Sequence, residues 1–153
     1  MSGVDRFRAA VAPLGLHPEV REFDESTHTA AEAAAAIGCP VAAIVKSLVF
    51  EADGAPLLVL VSGPNRVDTA ALGARLGVTI GKADAALVKS ATGYSIGGVP
   101  PLGFPSPIRT VIDETLLALD VVWAAAGTGT SVFPIAPADL ARLTAAEVAP
   151  VGG

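Results

Sequence analysis

Between Lys89 and Phe104 the chain places four glycines (Gly93, Gly97, Gly98, Gly103) and the adjacent prolines Pro100 and Pro101 among Tyr94, Ile96, Val99, Leu102 and Phe104. No regular element accommodates that mixture. Glycine and proline weaken a helix or strand interior, and a flexible linker carries no such apolar load. The segment reads as an ordered loop whose backbone passes close to something else. Glycine permits the approach because it has no Cβ, and proline fixes φ and removes a donor. Such loops carry function or merely turn corners, and the residues alone leave both readings open.

The rest of the chain supplies enough apolar material for a sizeable core. Of 153 residues, 52% are hydrophobic but only 5% aromatic, so Ala, Val, Leu and Ile must fill it. The length fits one domain over residues 1–153. No apolar run approaches the ~20 residues that span a bilayer. Met1 to Arg8 has no apolar stretch of the kind that opens a signal peptide. Cys39 is a lone cysteine and has no internal disulfide partner. A cytoplasmic protein without a membrane partner is the expectation. The net charge of −5 argues against DNA binding or any long grip on nucleic-acid phosphates, which needs clustered Lys and Arg. It leaves room for one or two local phosphate contacts.

Periodicity and turn signals predict helices over Asp5–Leu14, Ala30–Ile37, Asp68–Arg75, Ala83–Ser90 and Pro137–Leu143. Strands are predicted over Val20–Phe23, Ala43–Glu51, Leu57–Val61, Val78–Gly81, Ile108–Ile112, Val121–Ala125 and Ser131–Ile135. Thr29 and Glu32 form a capping box signature, and Asp53-Gly54 marks a hairpin. Hairpins beside helix insertions imply an α+β fold with a mixed, largely antiparallel sheet.

Lys46 is the second singular residue. On a strand it shares a face with Ile44, Leu48 and Phe50. Burying an unpaired ammonium there is costly. Either Lys46 lies at a strand edge and snorkels to water, or it is aimed into a cleft at an anion. His17 and His28 have no second ligand at metal-binding spacing, so no metal site is expected. Cys39 has no identifiable base partner, and no nucleophile elbow, phosphate-binding loop or dinucleotide fingerprint occurs. No cofactor is implied. Asp113 reads either as a site carboxylate or as an N-cap for the segment from Glu114 to Leu119. Tyr94 can be core, with its hydroxyl satisfied by the loop.

Three segments together resemble the YbaK/ProX family, the free-standing relatives of the editing domain inserted in bacterial prolyl-tRNA synthetase. They are Val45–Phe50, then Ser90–Gly103 with its Gly97-x-x-x-Pro101 pattern, then Ile112-Asp113 followed by Val122–Gly127. The resemblance covers about residues 20 to 145. It implies a compact, barrel-like mixed sheet with flanking helices and a deacylase acting in trans on mischarged aminoacyl-tRNA. By resemblance, Lys46 anchors the 3′-terminal adenosine, the Gly97–Pro101 loop holds the aminoacyl end, and Asp113 is a carboxylate near the pocket. Gly97, Gly98 and Val99 then belong with Lys46 to the catalytic set. Phe23, Thr92, Tyr94, Ser95, Pro100, Pro101 and Asp113 belong to the substrate-binding set. Phe23 stands where members that clear cysteine carry tyrosine, and Pro100 where they carry serine. The implied partners are the CCA end of aminoacyl-tRNA and either prolyl-tRNA synthetase or an elongation factor. The other readings are a non-catalytic binding module of the same fold and an unrelated small-molecule esterase.

Overall fold

The structure, a computed structural model, describes residues 2–24 and 29–152. Its helices begin where short polar side chains can accept from freed amides. α1 (Gly3–Val11) starts at Ser2, whose hydroxyl accepts from the Asp5 amide, and it runs on as a 3-10 turn over Ala12–Leu14. It therefore begins two residues before the expected Asp5. α2 (Ala30–Ile37) is capped by Thr29, which accepts from Glu32 N at 3.1 Å. The Glu32 carboxylate accepts from the Thr29 hydroxyl at 3.3 Å instead of reaching back to the Thr29 amide. α3 (Thr69–Leu76) and α4 (Ala85–Thr92) take Asp68 and Asp84 as caps. α5 (Pro137–Thr144) has proline in its first turn. Gly38, Gly77 and Gly93 close α2, α3 and α4 in the left-handed region.

Eight strands occur among the described residues: β1 (Arg21–Glu22), β2 (Val45–Ala52), β3 (Ala55–Ser62), β4 (Ile80–Lys82), β5 (Arg109–Asp113), β6 (Val122–Ala125), β7 (Ser131–Ile135) and β8 (Glu147–Ala149). β2 starts later than expected because Val41–Ala43, just after Pro40, forms a 3-10 turn. β8 has no sequence signal. It is three residues long with only Ala149 buried, too short to show an alternation.

The strands form two sheets, in the orders β1-β7-β6 and β4-β2-β3-β5-β8. Pairing is antiparallel except at β3·β5 and β5·β8. The sheets do not close into a barrel; among the described residues they meet at one parallel bridge, between Ile44 and Trp123. β3 is covered on both faces, with Leu57 to Val61 fully buried, which is why it reads as a continuous apolar run. Leu58 and Leu60 pack with Val45, Val122, Ala124 and Phe133 between the sheets. Leu57, Val59 and Val61 pack outward against Leu72 of α3.

α1 seals the inter-sheet core with Phe7 and Val11, and the Phe7 and Phe133 rings sit 4.8 Å apart. Its first residue meets the turn between β6 and β7 main chain to main chain. A Cβ on Gly3 would collide with the Gly127 carbonyl, and a Cβ on Gly127 with the Gly3 carbonyl. Gly127 also has φ +104, where an L side chain is strained. Gly127→Ala is expected to destabilise the fold by about 3 kcal/mol or more. Gly15→Ala, at φ +78 but facing open space, is expected to cost about 1 kcal/mol. Urea denaturation of both variants checks the contrast.

Candidate functional site

A gap in one hydrogen-bond ladder opens a cleft beside β2. β2 pairs with β3 along its whole length on one side. On the other side only Phe50, Glu51 and Ala52 pair with β4, and Ile44 bridges to Trp123. Between those points, Val45 to Val49 have no strand partner on that edge among the described residues. A cleft of about 550 Å³ lies along this free edge, so residues from both faces of β2 line it. Register indicates which main-chain groups face the gap. Val45 stands opposite Ser62, yet the Ser62 amide donates to Asp113 Oδ2 at 3.1 Å. In an antiparallel ladder N–H and C=O of one residue point the same way and alternate along the strand. The main-chain groups of Val45, Ser47 and Val49 therefore point away from β3, toward the opening.

The opposite wall comes from Ile96, Gly97 and Val99 of the glycine- and proline-rich loop, from Trp123 to Ala125 of β6, and from Thr128 and Gly129 of the β6–β7 turn. Lys46 and this loop thus share one cleft, although they are far apart in sequence. Lys46 is half-buried, and its ammonium donates to the main-chain carbonyl of Asn65. Burial pushes its pKa below the ordinary 10.5, the nearby Arg66 charge lowers it further, and the Asp113 charge opposes both.

Within the loop the glycines differ. Gly97 is exposed at φ +94, with open space where a Cβ would be. Gly98 is buried, and a Cβ there would lie 2.9 Å from Thr128 Cα. The Gly98 amide donates to the Ser95 carbonyl at 3.0 Å, which closes a turn. The amides of Gly97 and Val99 donate to no acceptor among the described residues.

The remaining sequence candidates lie behind or beside the cleft rather than on its walls. Thr92 is fully buried; its hydroxyl donates to the Val88 carbonyl at 2.7 Å and accepts from the Tyr94 amide at 3.0 Å, closing α4. Tyr94 packs in the inter-sheet core under the Arg6 guanidinium, 4.9 Å from its ring centroid, and burial raises its pKa while Arg6 opposes the rise. Ser95 is exposed, whereas Pro100 and Pro101, at the end of the loop, are buried. Phe23 is half-buried, with its amide on the Thr130 carbonyl at 2.7 Å. Asp113 is 2% exposed and caps the 3-10 turn Glu114–Ala118 through the Thr115 amide. His28 lies outside the described residues. Among the described residues no group of three His, Cys, Asp or Glu could hold a metal ion, and no helix is long and apolar enough to cross a membrane.

Sequence reasoning passed over Asn65, Trp123, Ile96 and Thr128. Asn65 was legible only as the end of a Ser-Gly-Pro-Asn turn. Trp123 has the Arg21 guanidinium 4.8 Å from its ring centroid, and Ile96 is 69% exposed, an unusual position for a large aliphatic residue.

The Lys46 environment makes two linked predictions. Its pKa, read by NMR titration of the side-chain carbons, is expected below 10.5, and Asp113→Asn is expected to lower it further by removing the favourable charge. Because the folded state disfavours the charged form, the unfolded chain binds the extra proton. Stability therefore rises with pH between the lowered value and 10.5.

Known proteins share this architecture. The profile of the aminoacyl-tRNA editing domain family matches residues 24–143. The uncharacterized protein YwhH of Bacillus subtilis (strain 168) is 28% identical over 131 residues, covering 85% of this chain and 83% of that protein. A proline–tRNA ligase of Nitratidesulfovibrio vulgaris is 31% identical over 124 residues, 80% of this chain, and the match spans only 21% of the synthetase. The solved structure of a proposed trans-editing enzyme for prolyl tRNA synthetase is 40% identical with a TM-score of 0.94, covering 100% of this chain and 98% of that one. With its α+β fold and this extent of match, the chain belongs to the aminoacyl-tRNA editing domain family.

Proposed function

We propose that this protein acts in trans as an aminoacyl-tRNA deacylase, hydrolysing the ester of a mischarged small amino acid, such as Ala or Cys, on tRNA for proline. The observation that carries the reading is that Lys46, Gly97 and Val99, far apart in sequence, line one cleft. Family membership and the likeness to a proposed trans-editing enzyme for prolyl tRNA synthetase support it.

The chemistry needs no side-chain nucleophile. An aminoacyl ester on a ribose is already activated, so positioning and charge stabilisation suffice. Lys46 offers an ammonium to a phosphate or ribose-linked oxygen of the terminal adenosine. The Gly97 and Val99 amides orient the ester carbonyl and stabilise the developing oxyanion. Water, which the neighbouring ribose hydroxyl can orient, then attacks the carbonyl carbon; the bond from that carbon to the ribose oxygen breaks, the ribose oxygen leaves as a hydroxyl with the water's proton, and the free amino acid is released. Apolar walls at Ile96 and Trp123 limit the amino acid by clash, which discriminates more sharply than one methylene of attraction, worth ~1–3 kcal/mol. The net charge of −5 fits a grip confined to the CCA end. A synthetase or an elongation factor would then bring the tRNA. The enzyme would work where translation does, in the cytoplasm.

Deacylation of a panel of mischarged tRNAs, with and without prolyl-tRNA synthetase, tests the reading. Lys46→Ala is expected to slow hydrolysis of the preferred substrate by about a hundredfold. Gly98→Ala, which drives a methyl against Thr128 and displaces the loop, is expected to slow it by about tenfold or more. Wild-type rates equal to spontaneous hydrolysis across the whole panel would reject the enzyme in favour of a binding module.

A further inference from the structure

Lys46 does not hold its position alone. β2 places it opposite Val61, one residue before β3 ends at Ser62. The chain then turns through Gly63 and Pro64, and the Asn65 amide donates to the Ser62 carbonyl at 2.9 Å. This turn presents the Asn65 carbonyl to the Lys46 ammonium. A four-carbon side chain has many rotamers, so a fixed acceptor decides where its charge rests.

The turn is itself tied down by one carboxylate. Asp113 Oδ2 accepts from the Ser62 amide at 3.1 Å and from Asn65 Nδ2 at 2.8 Å. Its Oδ1 accepts from the Thr115 amide at 3.0 Å. Asn65 Nδ2 also donates to Thr115 Oγ1 at 3.1 Å. Both ends of the turn are therefore bound to the same group, which is 2% exposed and does not line the cleft. A buried carboxylate supplied with donors on both oxygens is costly to disturb.

We infer that Asn65 is a positioning residue for Lys46: its side chain, locked to buried Asp113, holds the turn whose carbonyl docks the Lys46 ammonium at the cleft. Asp113 acts through Asn65 and not on the substrate. The catalytic consequence rests on the deacylase reading; the docking itself does not.

The chain has only three lysines, Lys46, Lys82 and Lys89, so amine labelling can be followed residue by residue by mass spectrometry. Exposed Lys82 serves as the internal reference. The control is Asp68→Ala, which removes the cap of α3, away from the cleft, and matches a general loss of stability. In Asn65→Ala the Lys46:Lys82 labelling ratio is expected to rise about threefold or more and kcat/KM for deacylation to fall about tenfold. Asp68→Ala is expected to leave both within about twofold. If Asn65→Ala does not fold, Asn65→Ser, too short to reach Asp113, is expected to show the same two changes. An unchanged labelling ratio in a folded Asn65 variant overturns the inference, as does a raised ratio with unchanged kcat/KM. If the wild type hydrolyses no aminoacyl-tRNA, the deacylase reading fails, and the labelling ratio alone decides the docking.

Discussion

The site depends on a strand that is paired on one side only. Along Val45 to Val49, β2 has the full ladder to β3 but no partner on its other edge among the described residues. Unpaired main-chain groups in a protein interior are costly unless water or a ligand reaches them. Here the cleft occupies that gap. The bridge at Ile44–Trp123 marks one end of the opening and the pairing of Phe50 with Lys82 marks the other. Two sheets that nearly close around a core thus leave one slot, and each residue proposed to act lies on that slot or braces a residue that does. The Ser47 hydroxyl is buried beside it with no hydrogen-bond partner among the described residues.

Charge and burial at Lys46 follow from the same geometry. A lysine on the free edge is half-buried, so its charged form is disfavoured, yet it still faces the opening. Asp113 partly offsets that cost from beneath, through its field and through the turn it anchors. Lys46 is thus half-buried on the free edge, lines the cleft and rests on the Asn65 carbonyl.

Much of this was legible because local chemistry decided it. Thr29 and Asp68 cap helices as their residue types require, and Gly38 and Gly77 end them, whereas α4 runs two residues later than the Ala83–Ser90 expected because Asp84 is its cap and Gly93 its end. Lys46 stood out because a lysine among Ile, Leu and Phe conflicts with its strand. The loop stood out because glycines and prolines conflict with large apolar neighbours. What stayed hidden depends on distant pairing. The Asn65 acceptor is a main-chain atom, invisible to residue identity, and Trp123 and Ile96 become walls only because β2 lacks a partner. Thr92 and Tyr94 sit in the distinctive segment but turn inward, one to close α4 and the other to fill the core. Asp113 supported two readings, cap and site neighbour. Its capping bond is formed, and the same carboxylate also reaches Ser62 and Asn65.

Gly3 and Gly98 each press backbone against backbone on the β6–β7 turn, Gly3 on Gly127 and Gly98 on Thr128. Such contacts have no slack, because a single added methyl displaces a whole segment. The width of the cleft is therefore more easily altered at side chains on its walls, such as Ile96 and Trp123, than in this main-chain frame.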